Sequence, residues 1–386
     1  MSWTLTADDL PDLARGATLL GTGGGGDPYI GMMLVKQVLG DRSITILDPD
    51  DLADDLFVIP TAQMGAPTVM VEKIPAGFEP TLALRTLEEH LGRTADATMP
   101  IECGGINSMI PLIVAAETGL PVVDADGMGR AFPELSMETF AVYGVHGSPL
   151  AIAGERGERV IIDTGDDDRQ MEWLARGIAI RLGGVAHIAE YAMSGADVRR
   201  TAVPRTISMA LALGRAIRVA REEHRSPFAA IADTLSTTLY SHVRELFVGK
   251  VADVERRTTE GFAKGTAVIW SADPSSSERL EISFQNENLI ARWNGEVVAI
   301  VPDLICIVDH ETAEPITTEG LRYGQRVRVL GISTPALMRT PDALRAFGPT
   351  AFGLTEPFVP VEGEAAAAEA ADAFARATKD AVRNNG

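Results

Sequence analysis

From residue 8 to residue 124 the chain alternates helix-period segments with short apolar runs, and this alternation constrains the fold more than any other feature. Parallel strands need crossover connections of a dozen or more residues, usually helices, so strands spaced by helical stretches imply βαβ units. Leu10, Leu13, Ala14, Ala17 and Leu20 recur at helical spacing and predict a helix over 8–20. A glycine turn follows, then a helix over 28–39 with Asp27 at the N-cap and Pro28 at the first helical position. The segments 44–47 and 56–60 read as buried strands, 80–91 as a helix, 99–103 as a strand, 107–118 as a helix and 121–124 as a strand. Short strands at 140–143, 150–153 and 159–163 close an α/β domain with a mostly parallel sheet over residues 1–165.

The second domain, 166–386, is mixed. Helices are expected at 169–182, 207–223 and 227–235, with a strand at 185–193. Between 246 and 354 the helical period nearly vanishes. Segments 247–257, 261–271, 280–284, 289–293, 296–301, 304–309 and 326–331 are β-like and closely spaced, as in a small barrel or sandwich. An Ala/Glu-rich helix is expected at 364–383.

Charge excludes some partners. With 34 basic and 54 acidic residues the net charge is −20, a field that repels phosphate backbones and anionic membranes. Neither nucleic acid nor a membrane is therefore an expected partner. A local arginine or helix N-terminus can still reverse the sign inside one cleft, which leaves anionic small molecules open. Two cysteines, Cys103 and Cys306, are too few for a disulfide framework, so a reducing, cytoplasmic location is expected. The first residues carry no basic stretch and no apolar core, so no signal peptide is expected. Apolar stretches are broken well short of the ~20 residues that a membrane span needs.

Three glycine-rich motifs concentrate the chemistry. The first is Gly21-Thr22-Gly23-Gly24-Gly25-Gly26-Asp27-Pro28. Consecutive glycines are entropically costly and suit positive φ or close backbone approach. Gly23, Gly24, Gly25, Gly26 and Asp27, placed before a capped helix, are candidates to cradle a carboxylate or an imide oxygen; a tight helix–helix turn is the alternative. The run follows a helix and no Gly-Lys-Ser/Thr appears, so it is neither a dinucleotide fingerprint nor a phosphate loop. The second motif is Glu102-Cys103-Gly104-Gly105-Ile106-Asn107-Ser108, where a predicted strand meets a helix, the usual place for ligands in parallel α/β sheets. Glu102 is a candidate general base and Cys103 a candidate nucleophile, against the reading of an inert buried thiol. Gly104, Gly105 and Asn107 are candidate substrate contacts, with helix capping the alternative for Asn107. The third motif runs from Asp124 through Asp126, Gly127, Gly129 and Arg130 to Glu134. In extended chain, Asp124 and Asp126 share a face and become candidate catalytic carboxylates. Arg130 is a candidate grip for a substrate carboxylate, or else an internal partner for the aspartates.

The six histidines form no metal-binding spacing. His146 is the one retained as a candidate substrate contact, against an ordinary loop histidine. A divalent metal held across loops stays open, and no cofactor is assigned. The polar run Phe284-Gln285-Asn286-Glu287-Asn288 reads as a hairpin turn, and Val301-Pro302-Asp303-Leu304 as turn chemistry.

These motifs, together with Gln-Asn-Glu-Asn at 285–288 and Val-Pro-Asp-Leu-Ile at 301–305, resemble those of the S-methyl-thiohydantoin desulfurase-like family, in the same order and from about residue 10 to about residue 360. The resemblance implies a three-layer α/β N-terminal domain and a β-rich C-terminal domain. It implies a hydrolase of small five-membered cyclic thioimidates or imides, water replacing the sulfur substituent to give a hydantoin, within sulfur catabolism. It also implies genes beside those of hydantoinase and oxoprolinase subunits. Two alternatives therefore stay open: hydrolysis of another cyclic imide, and an accessory, non-catalytic subunit of a hydantoinase/oxoprolinase-type assembly. A homo-oligomer is the base-rate expectation for an enzyme of this kind.

Overall fold

The computed structural model describes residues 1–65, 69, 76–259 and 262–384. Its N-terminal sheet runs, in spatial order, Trp3–Leu5, Ile44–Leu47, Val122–Val123, Ala97–Met99, Phe57–Gly65, Val185–Ala189, Leu150–Ala153 and Arg159–Ile162. The four strands from Ile44–Leu47 to Phe57–Gly65 are mutually parallel; the remaining pairs are antiparallel. The sheet is thus mixed, and Val185–Ala189 brings a later stretch of chain into its middle.

Side chains alternate faces along a strand, and the packing shows it. Ile59, Ala151, Ala153 and Ala189 cluster with Ala83, Leu84 and Leu87 of the Glu79–Leu91 helix. Their neighbours Val58, Leu150, Ile152 and Ile188 belong instead to the cluster holding Met171, Ala175 and Ala179 of the Asp168–Arg181 helix. Helices therefore cover both faces, giving the expected three layers.

The second sheet is a fully antiparallel half-barrel. Its order is Glu296–Ile300, Glu287–Trp293, Arg279–Gln285, Phe262–Ser271, Val243–Thr259, Arg326–Ile332 and Leu304–Asp309. Register shifts at Glu245/Phe247 and Val251/Asp253 mark bulges, which bend a strand and strengthen its twist. Val251, Ile269, Ile282, Ile307 and Val329 fill the concave core. The expected strand at 261–271 is seen from Phe262 onward, residue 261 lying outside the described residues. Among the described residues no helix is long and apolar enough to cross a membrane.

Two local expectations are corrected. Residues 140–143 are not a strand: Thr139–Val142 is a single helical turn. Its first N–H bonds Gly127 O at 2.6 Å and Phe140 is buried, so tertiary packing overrides the β propensity of the segment. The strand expected over 185–193 is broken after Ala189, where Tyr191 turns at φ 50°, before a short strand Met193–Ser194.

Candidate functional site

The parallel strands Phe57–Gly65, Ala97–Met99 and Val122–Val123 present their carboxyl ends to one edge of the sheet. Gln63–Gly65, the Glu102–Ser108 motif and the Asp124–Glu134 motif all follow at that edge, where ligands of parallel α/β sheets bind.

The glycine run meets them there. After the Leu10–Leu20 helix the chain reverses through left-handed steps, Thr22 at φ 45°, Gly23 at 94°, Gly25 at 73° and Gly26 at 74°. Asp27 then caps the Pro28–Leu39 helix by accepting from Tyr29 N at 2.8 Å. Close approach also demands glycine. A Cβ on Gly25 would stand 2.5 Å from Gly104 O, one on Gly104 2.8 Å from Ala131 N, and one on Gly24 would overlap Glu287 Oε1. Ile106 N donates to Gly25 O at 2.9 Å. The three N-terminal motifs therefore form one interlocked surface.

The half-barrel closes it. Asn286, at φ 57°, turns the hairpin between Arg279–Gln285 and Glu287–Trp293, as a turn reading expects. The run does more than turn, however. Asn288 N donates to Thr22 O at 2.8 Å, and Glu287 Oε1 accepts from Gly25 N at 3.2 Å. Between the sheet edge and this hairpin lies a cavity of about 50 Å³, with Gly25, Gly26, Gln63, Glu102, Asn107 and Glu287 in its wall.

Two carboxyls thus face one small space. Glu102 Oε1 accepts from Asn107 Nδ2 at 2.7 Å and Oε2 from Phe132 N at 3.3 Å. Asn107 also clamps the strand end, accepting from Gln63 N at 2.7 Å and donating to Gln63 O at 3.2 Å. Burial, then repulsion by Glu287, pushes Glu102 well above the usual carboxylate range against the bond from Asn107. Burial pushes Glu287 up to about 8, moderated by Arg130 and by the Gly25 N–H. Its Oε2 is buried and has no hydrogen-bond partner among the described residues.

The other predicted residues sit around this cavity or away from it. Asp126 lies behind the wall, accepting from Cys103 N at 2.5 Å and Gly129 N at 2.7 Å, and burial pushes it up to about 7. Asp124 points elsewhere: it caps the Thr206–Glu222 helix through Ile207 N at 2.9 Å and Ser208 N at 3.0 Å. The two aspartates therefore do not share a face, because a break between Val122–Val123 and Ala125–Asp126 sends the second into a separate two-stranded pairing. Cys103 is buried with its Sγ 3.3 Å from Thr206 O, and burial beside Asp126 and Asp124 pushes the thiol well above its ordinary value. Arg130 is fully buried and donates to the carbonyls of Ala131, Asn288, Pro302 and Asp303 at 2.9–3.2 Å. It fastens the third motif to the half-barrel, the Pro302–Asp303 turn included. Gly23 and Gly105 shape the backbone, a Cβ on Gly23 standing 2.8 Å from Asn288 Nδ2 and one on Gly105 overlapping Gly25 O. His146 is outside this cavity. Its side chain is 43% exposed, pairs with Asp168 Oδ2 at 3.1 Å, and borders a separate open cleft of about 1030 Å³.

Sequence reasoning missed Glu287, Gln63 and Arg176. For Glu287 a signal existed, an acidic residue just before the apolar run 289–291 of a strand. Arg176 lines the cavity while donating to Glu172 and to Pro133 O, over the ring of Phe262, and nothing in its helical context marks it. Among the described residues no group of three or more His, Cys, Asp or Glu side chains could hold a metal ion.

Comparison with known proteins agrees with the motifs. No curated protein matches the chain. A crystal structure of a structural-genomics target protein from Chromobacterium violaceum is 26% identical, with a TM-score of 0.80 over 93% of this chain and 100% of that one. The model described as "S-Me-THD-like, N-terminal domain" matches residues 8–164 and the "S-Me-THD-like, C-terminal domain" matches residues 166–361. Both halves of the seam around Glu102 and Glu287 are thus accounted for by one family, and the chain belongs to the S-Me-THD-like family.

Proposed function

We propose that the protein is a hydrolase of a five-membered cyclic thioimidate of the S-methyl-thiohydantoin type, releasing methanethiol and leaving a hydantoin. The observation that carries this reading is the pair Glu102 and Glu287 facing one small, glycine-walled cavity. Two buried carboxyls in one site do not both ionise readily, so they divide into an acid and a base. Glu287, with Arg130 in range and the Gly25 N–H on one oxygen, ionises first; its free Oε2 is the base for water. Glu102 keeps its proton longer and offers it to the ring nitrogen.

The steps balance. Glu287 takes one proton from water as the oxygen attacks the ring carbon bearing sulfur, and Glu102 protonates the adjoining nitrogen. On collapse the hydroxyl proton passes to Glu102, the C–S bond breaks, and Glu287 returns its proton to the departing thiolate. The small backbone of Gly25 and Gly26 lets a flat ring lie against the wall.

Methanethiol release from S-methyl-thiohydantoin by the purified protein tests the reading. General-base catalysis contributes about 10²–10⁴-fold. Glu287→Gln is expected to lower release by that factor; an undiminished rate removes Glu287 from the mechanism.

A further inference from the structure

The cavity is richer in acceptors than a thioimidate requires. Among the described residues Glu287 Oε2 and Gln63 Oε1 are buried without a partner; both residues stand in the cavity wall, Gln63 also bordering a smaller pocket beside Glu79. Of the neighbouring donors, Asn107 Nδ2 is bonded to Glu102 and Gln63 O, the Arg130 guanidinium to backbone carbonyls, and Arg176 to Glu172 and Pro133 O. Buried polar groups left unpaired are costly, so the occupant that suits this wall brings several N–H groups of its own. A guanidine-like unit meets a carboxylate with parallel, charge-assisted bonds.

The second carboxyl points the same way. Thiolate is a good leaving group and departs with little acid help, whereas an amine leaves only after it is protonated. An exocyclic imine takes two protons to depart as ammonia, and the two carboxyls supply one each. We propose that the same cavity hydrolyses five-membered ring guanidines, replacing an exocyclic nitrogen by oxygen and releasing ammonia. This inference rests on the base and acid placed above and extends them to a second substrate class.

In the step proposed, Glu287 takes one proton from water as the oxygen attacks the carbon bearing the exocyclic imine, and Glu102 gives its proton to that nitrogen. In the collapse the hydroxyl proton passes to Glu102 and Glu287 returns its proton to the amine. The C–N bond then breaks, ammonia leaves, a ring carbonyl remains, and both glutamates regain their starting states.

The test supplies the full-length protein, in parallel, with 2-iminohydantoin and with S-methyl-thiohydantoin, and measures ammonia, methanethiol and hydantoin. Hydantoin with one equivalent of ammonia is the expected result. Methanethiol without ammonia overturns this inference and leaves the thioimidate reading standing. Ammonia without methanethiol supports the inference and overturns the thioimidate reading, and neither product overturns both. Glu102→Gln refines the assignment: glutamine keeps a hydrogen-bond donor but cannot transfer a proton. Release of ammonia and of methanethiol is expected to fall at least tenfold in that variant, because in either reaction the ring carbon's nitrogen takes its first proton from Glu102. Unchanged release of both products would make Glu102 a purely structural residue and refute its role as the acid.

Discussion

Glu287→Gln should make the protein more stable at alkaline pH and leave it nearly unchanged in acid. The folded protein ionises Glu287 only near 8, against an ordinary value of 4.5, because burial opposes the charge. Between those values the folded state holds a proton that the unfolded chain has lost. Stability therefore falls as pH rises through that window and levels off above it. The difference, 8 less 4.5, at about 1.4 kcal/mol per pKa unit, amounts to about 5 kcal/mol as a ceiling. Water penetration and relaxation reduce that figure. Glutamine has nearly the same shape, and its oxygen can still accept from Gly25 N, so the substitution isolates the charge. The assay is urea unfolding of both proteins at about pH 5 and about pH 9. A stabilisation of several kcal/mol at the higher pH, absent at the lower, is expected. A gap of the same size at both values would refute the claim that the native state suppresses ionisation of this carboxyl.

The proposed reaction ties the rate to the same titration. If Glu287 is the base, kcat/KM rises with pH toward a plateau above about 8, and a flat profile between pH 6 and 9 counts against it. Gly105→Ala places a side chain at φ 73° against the Gly25 carbonyl. Left-handed strain of about 1–2 kcal/mol and overpacking of about 1–3 kcal/mol predict a loss of about 2–5 kcal/mol in urea unfolding; an unshifted midpoint would show that the turns do not interlock. Cys103→Ala should keep methanethiol release within a few-fold, since the thiol is buried and its proton held; a loss beyond 100-fold would restore Cys103 as the nucleophile. Glu138 and Glu190 are fully buried, their four carboxyl oxygens without hydrogen-bond partners among the described residues, and burial together with neighbouring carboxylates pushes both well above the usual range. Glu190→Gln is therefore expected to raise the thermal midpoint at alkaline pH while turnover holds, and a lowered midpoint would mean that the carboxyl has a partner it needs.

Elements whose signals are local were legible in the sequence. The helix Pro227–Leu235 and the strand Leu304–Asp309 fall where periodicity places them, and Asp27 caps as its position before Pro28 predicts. The glycine motifs announced a close-packed seam, because only close approach or positive φ repays so many glycines. What was not legible depends on how distant segments dock. Glu287 looked like turn chemistry since the turn is real; its depth comes from the half-barrel closing on Gly24 and Gly25, more than 250 residues earlier in the chain. Asp124 and Asp126 were expected together by the two-residue period of a strand. That period fails where the strand ends after Val123, and one aspartate goes to a helix N-terminus, the other behind the cavity wall. Arg130 suggested a grip for a carboxylate, but nothing in the local motif shows that four backbone carbonyls surround it.

The placement of the carboxyls at the seam has a physical reason. A base inside one rigid domain would be reached only through that domain's core, whereas a base delivered by a second sheet completes the site from outside. Glu102 comes from the strand edge and Glu287 from the hairpin, so neither half alone brings the two together. Docking desolvates both, and that desolvation raises them toward the pH at which an acid and a base work. Arg130 contributes in two ways at once. Its bonds to Asn288, Pro302 and Asp303 hold the half-barrel on the third motif, and its charge opposes the burial that raises Glu287. The residue that joins the halves thus also bears on the charge of Glu287, and in the proposed reaction the assembled seam, more than any single motif, sets the two glutamates apart.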